Sequence, residues 1–552
     1  MANISKQRRE ELISKINKIK ESIFSLEDDV SKQTLIQYLS DLETEIKGKK
    51  YGLVYEKHKE NIDEILETNI PVFIEDQSLF VDNGGEMNFL LEGDNLASLN
   101  LLVKTHKDKI GVVYIDPPYN TGNEDFIYND DMVDSTDEYR HSKWLSFMCN
   151  RLCLAKKLMK DGSLIFISID ENEYANLKIL CDDVFGEINY LTTFDWMKTA
   201  TPPSLSKTVR RKFEYVLCYK KGQIANSLCG GVVSGGDMPL LNDGNKIIPV
   251  KFSKRSLVLK INDGVYKAGC YDRVKLLEDF IVKNGLAVND LVLEGPMKWT
   301  QDTINNEIKN GTLFFIKTNK FAIRYARTGE RIKIPSNIIS NEECNVGTNE
   351  DGAKELLKIF DSKVFSYPKP VSLISYLINM ISFYDKSLTV LDFFAGSGTT
   401  GHAVLELNKD DGGNRKFILC TNNENNICRD VTYERIKRVI EKENYQASLK
   451  YMKVDFVPIS EQFYYEYADQ LLLHIRELVE LENGINFKGN SEIAIILTDE
   501  ELEEFINSNN DNCKTIYLGH DVLPTGEHLD VINARKIKIN IIPDYYYGEL
   551  GA

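Results

Sequence analysis

The stretch Val113-Tyr114-Ile115-Asp116-Pro117-Pro118-Tyr119-Asn120 decides the fold. Its first residues complete an apolar run, 112–115, that predicts a buried strand, and a carboxylate and two prolines follow at once. Proline fixes φ, removes its own N–H and holds the preceding residue extended, so Pro117 and Pro118 predict a stiff, projecting turn. In an open α/β sheet, the carboxyl edge of the strands is where ligands bind, and carbonyls there are free acceptors.

The residues of this turn suit an exocyclic amino group on a flat ring. Such a group has two protons to donate, and the Asp116 carboxylate and the Pro117 carbonyl accept one each. This arrangement aims the lone pair of the nitrogen at an incoming group. Tyr119 offers a face on which a base can stack, worth roughly 1–3 kcal/mol in nucleic-acid complexes. The alternative is a plain Pro-Pro surface turn.

A second strand and loop follow 276 positions after Asp116, in the stretch Val390-Leu391-Asp392-Phe393-Phe394-Ala395-Gly396-Ser397-Gly398-Thr399. Strand, glycine-rich turn and helix start predict Rossmann-type binding geometry, with Gly396 and Gly398 permitting close backbone approach. The loop lacks the third spaced glycine of a dinucleotide site and has no Gly-Lys-Ser/Thr, which argues against a phosphate ligand. It suits S-adenosylmethionine, and a structural βα turn is the alternative.

Further side chains around this loop are candidate cofactor contacts. Asp392 is placed to face the amino group of the cofactor, and Phe394 to pack near its adenosine. The run 416–420 predicts the next strand, and an acid at the end of such a strand can bind the ribose hydroxyls. Glu424 is the acid placed to do so, and a solvated loop glutamate is the alternative.

Length and composition limit the number of domains and the classes of protein to which the chain can belong. A chain of 552 residues exceeds one core, so three to four domains are expected. It has no run of about 18 apolar residues and no apolar leader after Met1, which predicts no membrane span, no secretory signal and a cytoplasmic location. The ten cysteines are scattered without CxxC, and the seven histidines do not cluster, so neither a metal site nor a disulfide framework is predicted.

Charge is unevenly distributed. The net charge of −17 argues against a nucleic-acid partner. Residues 196–275, however, hold fifteen Lys and Arg against five Asp and Glu, whereas 451–552 hold seven against nineteen. The first segment predicts a phosphate-contacting surface, centred on Arg210, Arg211 and Lys212, and the second a tail domain away from DNA. A merely solvated basic face is the alternative.

The chain divides into five predicted domains. Apolar residues at helical spacing, such as Leu12, Ile16 and Ile19, predict a helical hairpin near the N-terminus, either an interaction arm or packed on its own chain. Glycine pairs and short β-like runs interrupt the βα rhythm after residue 222. The domains are a helical arm 1–50, a catalytic half 51–222, an insertion 223–362, a cofactor-binding half 363–455 and a small acidic α/β domain 456–552.

With both motifs in this order, the chain resembles the β-class DNA amino-methyltransferases, most closely the modification subunits of Type III restriction–modification systems. The resemblance runs over most of residues 50–445. Besides the two motifs, it is carried by the segments 51–54, 90–96, 143–148, 161–170, 185–187, 365–370 and 430–438.

The resemblance implies a Rossmann-like, circularly permuted, S-adenosylmethionine-dependent methyltransferase fold with 223–362 as target-recognition domain. It implies that Asp94 lies by the adenine of the cofactor, that Lys369 lies near the cofactor carboxylate, and that Gly396, Gly398 and Thr399 belong to the binding loop. Asp116, Pro117, Pro118 and Tyr119 then form the catalytic motif. The implied partners are double-stranded DNA, a second copy of the chain in a homodimer and a restriction (helicase/nuclease) subunit.

The implied reaction is methylation of adenine at N6, more often than cytosine at N4. The absence of a Pro-Cys nucleophile argues against cytosine-C5 chemistry. One rival hypothesis is a non-catalytic DNA-recognition subunit with a vestigial cofactor pocket, against which the intact motifs argue. Another is methylation of RNA or of a protein amide, and the large basic insertion favours DNA over protein.

Overall fold

The structure is a computed structural model. It describes residues 4–24, 30–47, 55–122, 126–128, 131–201, 208–327, 329–459, 474–488, 490–508, 510, 512–519 and 521–542. The predicted lead-in segment 51–54 lies outside these residues. Among the residues that the structure describes, no helix is both long and apolar enough to cross a membrane.

Helices and strands alternate along most of the chain. The helices are α1 Ile4–Phe24, α2 Val30–Lys47, α3 Asn61–Thr68, α4 Asn95–His106, α5 Arg140–Leu158, α6 Tyr174–Cys181, α7 Gln301–Lys309, α8 Asn341–Cys344, α9 Asn349–Phe360, α10 Val371–Ser382, α11 Thr399–Asp411, α12 Glu434–Glu443, α13 Ile475–Asn483, α14 Asp499–Asn507 and α15 Gly526–Ala534. The strands of the first half are β1 Asn69–Glu75, β2 Glu86–Glu92, β3 Ile110–Ile115, β4 Ile127–Tyr128, β5 Asp131–Met132, β6 Met159–Ile169, β7 Tyr190–Met197, β8 Phe213–Lys220, β9 Val232–Ser234, β10 Met238–Pro239, β11 Ile247–Phe252, β12 Leu257–Leu259, β13 Gly264–Tyr266 and β14 Gly269–Tyr271. Those of the second half are β15 Val274–Leu276, β16 Phe280–Lys283, β17 Leu286–Ala287, β18 Leu291–Pro296, β19 Leu313–Ile316, β20 Ile323–Ala326, β21 Glu330–Ile332, β22 Ile338–Ile339, β23 Thr389–Asp392, β24 Lys416–Thr421, β25 Ala447–Pro458, β26 Ile493–Ile496, β27 Thr515–Leu518 and β28 Lys538–Ile541.

A ten-stranded sheet organises the catalytic part, in the order β1-β25-β2-β24-β23-β3-β6-β8-β7-β22. Neighbours from β25 to β6 are parallel, whereas β1 and β8 run against their neighbours. Strand β23 lies directly beside β3, with Leu391 opposite Val113. Because adjacent parallel strands end at the same edge, the Asp116 turn and the glycine loop lie next to each other.

Helices cover both faces of this sheet. Val113 and Ile115 point into one core with α4, α5, α6 and α13, while Val112 and Tyr114 point into the other with α10, α11 and α12. Strands buried on both faces are apolar throughout, which is why β3 reads as a continuous apolar run. The predicted α/β class is confirmed.

The insertion has a core of its own. Buried residues from Leu240 to Tyr325 pack together between two four-stranded sheets, β10-β20-β19-β12 and β11-β18-β15-β14. The C-terminal part of the predicted domain 223–362 does not belong to this core. Strand β22 instead pairs with the edge of β7 in the central sheet, with Ile338 opposite Asp195. Ile339 is thereby buried in the same core as Tyr114. A strand of two residues is too short to show an alternation of apolar and polar residues in the sequence.

The C-terminal segment contributes to two cores. Strands β26, β27 and β28 form a parallel sheet that packs with α14 and α15, in keeping with the small α/β unit predicted for 456–552. Helix α13 instead packs on the central sheet, where the Lys450 ammonium lies 2.6 Å from the Glu480 carboxylate. Both side chains are fully buried. The predicted boundary at 455 falls inside β25, which continues to Pro458.

Candidate active site

Five side chains form a connected polar cluster at the carboxyl edge of β3. The Lys369 ammonium lies 2.9 Å from Asp116 Oδ2 and 3.5 Å from Glu214 Oε2. The Tyr119 hydroxyl lies 2.9 Å from Asp116 Oδ1 and 3.2 Å from Glu214 Oε2, and it accepts a hydrogen bond from Lys369 at 3.0 Å. Lys198 donates to Glu214 Oε1 at 3.1 Å. Two ammonium groups are therefore matched by two carboxylates.

Charge pairing sets the protonation states of this cluster. Burial raises the pKa of Asp116, although Lys369 opposes the shift. Burial alone would raise the pKa of Glu214 too, but Lys369 and Lys198 together hold it below its ordinary value. Burial would lower the pKa of Lys369, but the two carboxylates keep it above its ordinary value. Burial and both carboxylates raise the pKa of Tyr119 far above its ordinary value, so the hydroxyl keeps its proton.

The Asp-Pro-Pro-Tyr turn is held rigidly from beneath. Trp144, fully buried in α5, donates from Nε1 to the Pro118 carbonyl at 2.8 Å. Asn120 adopts a left-handed φ of 55° and donates to Glu173 at 2.5 Å. His141 lies 2.6 Å from the same Glu173 oxygen through Nδ1. Sequence reasoning missed Glu173, which is fully buried and fixes the exit of the turn.

Replacing Glu173 with Gln should therefore loosen the turn. The amide places a donor where the carboxylate accepts from Asn120, His141 and Asn176, so a buried acceptor is lost. We expect the free energy of unfolding to fall by about 1–3 kcal/mol. Urea denaturation measures this loss, with the exposed Glu187→Gln as the matched control. Equal stability of the two variants would show that the network does not hold the turn.

The glycine loop is held by hydrogen bonds between its own residues. Gly396 and Gly398 have φ of 50° and 74°, the left-handed region that favours glycine. Asp392, almost fully buried, accepts from the Phe394 N–H at 3.0 Å and from the Thr400 hydroxyl at 2.5 Å. Burial raises the pKa of Asp392 to about 7. Both of its oxygens thus serve the loop, and its predicted contact with the cofactor amino group stays a prediction.

Arg435 is a second residue that sequence reasoning did not single out. It is fully buried in α12 and donates to the Ser397 carbonyl at 3.2 Å and to the Thr399 hydroxyl at 2.8 Å. Burial lowers its pKa to about 10, so it remains a cation at neutral pH. The guanidinium therefore clamps the back of the glycine loop.

One cavity of about 1180 Å³ opens at the Asp116 turn, and no residue of 392–401 lines it. Of the predicted site residues, its lining includes Asp116, Pro117, Pro118, Tyr119, Lys369 and Glu424. Phe365 also lines it, and its ring end lies 3.6 Å from where a Cβ on Gly396 would stand. Asn349, another lining residue, has a buried amide oxygen without a hydrogen-bond partner among the described residues. The cavity thus runs from the carboxylate turn to the loop that follows β24.

Two residues predicted to contact the cofactor, Asp94 and Phe394, make contacts within the protein near the glycine loop. Asp94 begins α4, where its side chain accepts from the Leu96 N–H at 2.7 Å. The neighbouring Asn95 donates to the Phe393 carbonyl at 2.9 Å, which ties α4 to the loop. Phe394 packs against Phe147, with ring centroids 5.8 Å apart.

The predicted basic cluster lies directly before β8. Arg210, Arg211 and Lys212 are exposed, and Glu214 of the polar cluster follows two residues later. Arg211 forms an ion pair with Glu171, the neighbour of the cavity-lining residue Asp170. This arrangement places the basic residues beside the open cavity.

The chain matches the family model described as DNA methylase over residues 110–434. The match spans both motifs and the residues that line the cavity. The chain belongs to the DNA methylase family. It has no group of three metal-ligating side chains within the residues described.

Relatives of this methylase come from restriction–modification systems. It is 33% identical to the Type III restriction-modification enzyme StyLTI Mod subunit of Salmonella typhimurium over 404 residues, 68% of this chain and 59% of that protein. It is 31% identical to the Type II methyltransferase M.KpnI of Klebsiella pneumoniae over 66% of this chain and 90% of that protein. The EcoPI Mod subunit of Escherichia phage P1 is also 31% identical, over 62% of this chain and 58% of that protein. The methylase thus spans less than two thirds of the length of these two Mod subunits.

Proposed function

We propose that this methylase transfers a methyl group from S-adenosylmethionine to the N6 amino group of adenine in double-stranded DNA. The observation that carries the proposal is the parallel pairing of β3 with β23 in the central sheet. It brings the Asp116 turn and the glycine loop to one edge of the sheet, although 276 positions separate Asp116 from Asp392. An amine and a methyl donor can therefore meet there.

The residues of the cavity fit the cofactor. Because Gly396 has no side chain, the space within van der Waals range of Phe365 is left for part of a bound group. The unpaired Asn349 oxygen can accept a hydrogen bond, and Glu424 at the far end can accept from ribose hydroxyls. When bound, the cofactor supplies an electrophilic methyl group on a sulfonium.

The chain itself orients the amine and removes its proton. Asp116 accepts one N–H of the amino group, and the Pro117 carbonyl, to which no described residue donates, accepts the other. Positioning of this kind supplies most of the catalysis, because the amine attacks directly and needs no covalent enzyme intermediate. Once the nitrogen carries the methyl group, its surplus proton passes to Asp116. The base must leave the helix stack to reach this depth, which costs a few kcal/mol.

Single-molecule methylation mapping tests the reaction. DNA from cells that express the full chain, and from cells that express Asp116→Ala, is sequenced for modified bases. N6-methyladenine at one recurring sequence, present only with the unaltered chain, supports the proposal. N4-methylcytosine at the recurring sequence would show that cytosine, not adenine, is the substrate. Unmodified DNA would contradict methylation of either base.

We further infer that the methylase is the modification subunit of a restriction–modification system. The Mod subunits to which it is similar support this role. In this proposal, the insertion with its core from Leu240 to Tyr325 selects the DNA sequence. A homodimer and a restriction (helicase/nuclease) subunit complete the assembly. Light scattering of the purified chain tests the dimer.

Changing Arg210 and Arg211 together to Ala should weaken DNA binding for every sequence. Contacts with phosphates set affinity and register rather than specificity. Each phosphate contact that is lost should flatten the dependence of log K on log salt by about 0.9. Fluorescence anisotropy in a salt series measures both quantities. Lys536→Ala with Lys538→Ala removes the same charge from the acidic C-terminal unit, and an equal effect of this pair would contradict a local contact.

A further inference from the structure

Both oxygens of Asp116 are occupied in the structure. Lys369 lies 2.9 Å from Oδ2, and the Tyr119 hydroxyl lies 2.9 Å from Oδ1. A target amine needs one of these oxygens as its acceptor. Each carboxylate oxygen can accept a second hydrogen bond, but the Lys369 charge and the Tyr119 hydroxyl weaken Asp116 as an acceptor for the amine. The amine is therefore bound better when a donor moves away from Asp116, and a buried donor that moves away without a new acceptor is costly.

Glu214 offers that acceptor. Its Oε2 already lies 3.2 Å from the Tyr119 hydroxyl and 3.5 Å from the Lys369 ammonium. The Glu214 side chain is only 8% exposed, and Lys198 fixes its other oxygen at 3.1 Å. Both donors can thus pass from Asp116 to Glu214 through a shift smaller than a bond length.

We propose that Glu214 is a positioning residue that takes Lys369 and Tyr119 from Asp116 when the target amine enters. This inference rests on the proposed function and adds a residue to it. The exchange leaves every ammonium and hydroxyl paired, because two lysines and two carboxylates share the cluster throughout. It also explains why a second carboxylate lies buried beside the one that the motif supplies.

The proposal predicts a shift in the pH dependence of the rate. The negative charge of Glu214 raises the pKa of Asp116, and Lys369 lowers it. Without Glu214, Lys369 stays on Asp116, so the pKa of Asp116 falls and the acid limb of the rate profile moves to lower pH. The other titratable groups that face the pair remain in place: Tyr114, Tyr119, Asp170, Lys198, Lys369 and Asp392.

A double-mutant cycle on the full chain tests the exchange. Single-turnover methylation of mapped target DNA, with tritiated cofactor, is measured for Glu214→Gln, Tyr119→Phe and the double variant across pH. We expect Glu214→Gln to slow transfer at least tenfold, with cofactor affinity unchanged by calorimetry. Tyr119→Phe frees one Asp116 oxygen, so the further loss caused by Glu214→Gln should be several-fold smaller in that background.

Each outcome decides the matter. Equal fold losses in both backgrounds overturn the exchange even if the acid limb moves, because the lost charge of Glu214 lowers the pKa of Asp116 in either case. A Glu214→Gln rate within twofold of the parent also overturns the proposal. Should Glu214→Gln not fold, Glu214→Asp replaces it in the same cycle. The exposed Glu187→Gln controls for charge loss. If the parent chain itself fails to methylate DNA, the proposed function fails; a normal parent with a normal Glu214→Gln overturns only this inference.

Discussion

Replacing Asp116 with Ala is expected to abolish methyl transfer and to leave cofactor binding nearly intact. The carboxylate accepts from the target amine, whereas the cofactor loop is held by Arg435 of α12 and by Asp392 of β23. We expect the transfer rate to fall by about 10³-fold or more, which corresponds to ~4 kcal/mol of transition-state stabilisation. A tritium-methyl assay measures the rate, and calorimetric titration of the cofactor measures the affinity.

The variant should remain folded, because Lys369 keeps Glu214 as a partner at 3.5 Å. Asp195→Asn is the matched control, since Asp195 lies in β7 of the same sheet, which β6 and β8 separate from β3, and is opposite Tyr215. It should lose little activity. If Asp116→Ala transfers methyl groups at more than a few per cent of the parent rate, the role assigned to this carboxylate is wrong. Loss of cofactor affinity together with activity would point to collapse of the cavity instead.

The fold and the two motifs could be predicted because local sequence carries them. Strand β3 is apolar at every position since helices cover both faces of the sheet, and the prolines after it end the strand unambiguously. The glycine loop could be predicted from the spacing of Gly396 and Gly398 between an apolar strand and a helix start. Neighbouring strands then bring both motifs to one edge, so the approximate place of the site followed from their order alone.

Glu214 could not be predicted in the same way. Strand β8 runs antiparallel to β6, with Tyr215 opposite Ile169, so its first residues lie at the edge where β3 and β6 end. A residue at the start of one strand thereby meets residues at the ends of others. Only the direction of β8 makes this so, and sequence does not reveal direction. An acid immediately before the apolar run 215–219 is the one local signal.

Asp392 illustrates the opposite difficulty. The sequence predicted an outward carboxylate, since an acid at the end of a strand is available to a ligand. In the structure, the Phe394 N–H and the Thr400 hydroxyl engage both of its oxygens. Short side-chain bonds within a turn compete with ligand contacts, and spacing alone cannot decide between them. Arg435 was missed for a related reason, because a basic residue in an amphipathic helix ordinarily faces solvent.

Replacing Gly396 with Val should eliminate cofactor binding before it affects the fold. The residue has φ of 50°, which costs a residue with a side chain about 1–2 kcal/mol. Its Cβ position is tolerable, with Phe365 Cζ at 3.6 Å and the Phe394 carbonyl oxygen at 3.8 Å. The methyl groups beyond that Cβ, however, reach toward Phe365 and the cavity it lines. We expect cofactor affinity, measured by calorimetry, to fall at least about 100-fold, or ~2.7 kcal/mol.

Gly412→Val separates this effect from backbone strain. Gly412 ends α11, the helix that begins directly after the glycine loop, and has φ of 65° with no heavy atom within 4 Å of its Cβ position. Both substitutions should therefore lower the free energy of unfolding by a similar amount, because both force a β-branched residue into the left-handed region. Only Gly396→Val should lose the cofactor. Equal affinities in the two variants would mean that the cofactor does not bind against this loop, and the cavity at the Asp116 turn would then hold the base alone.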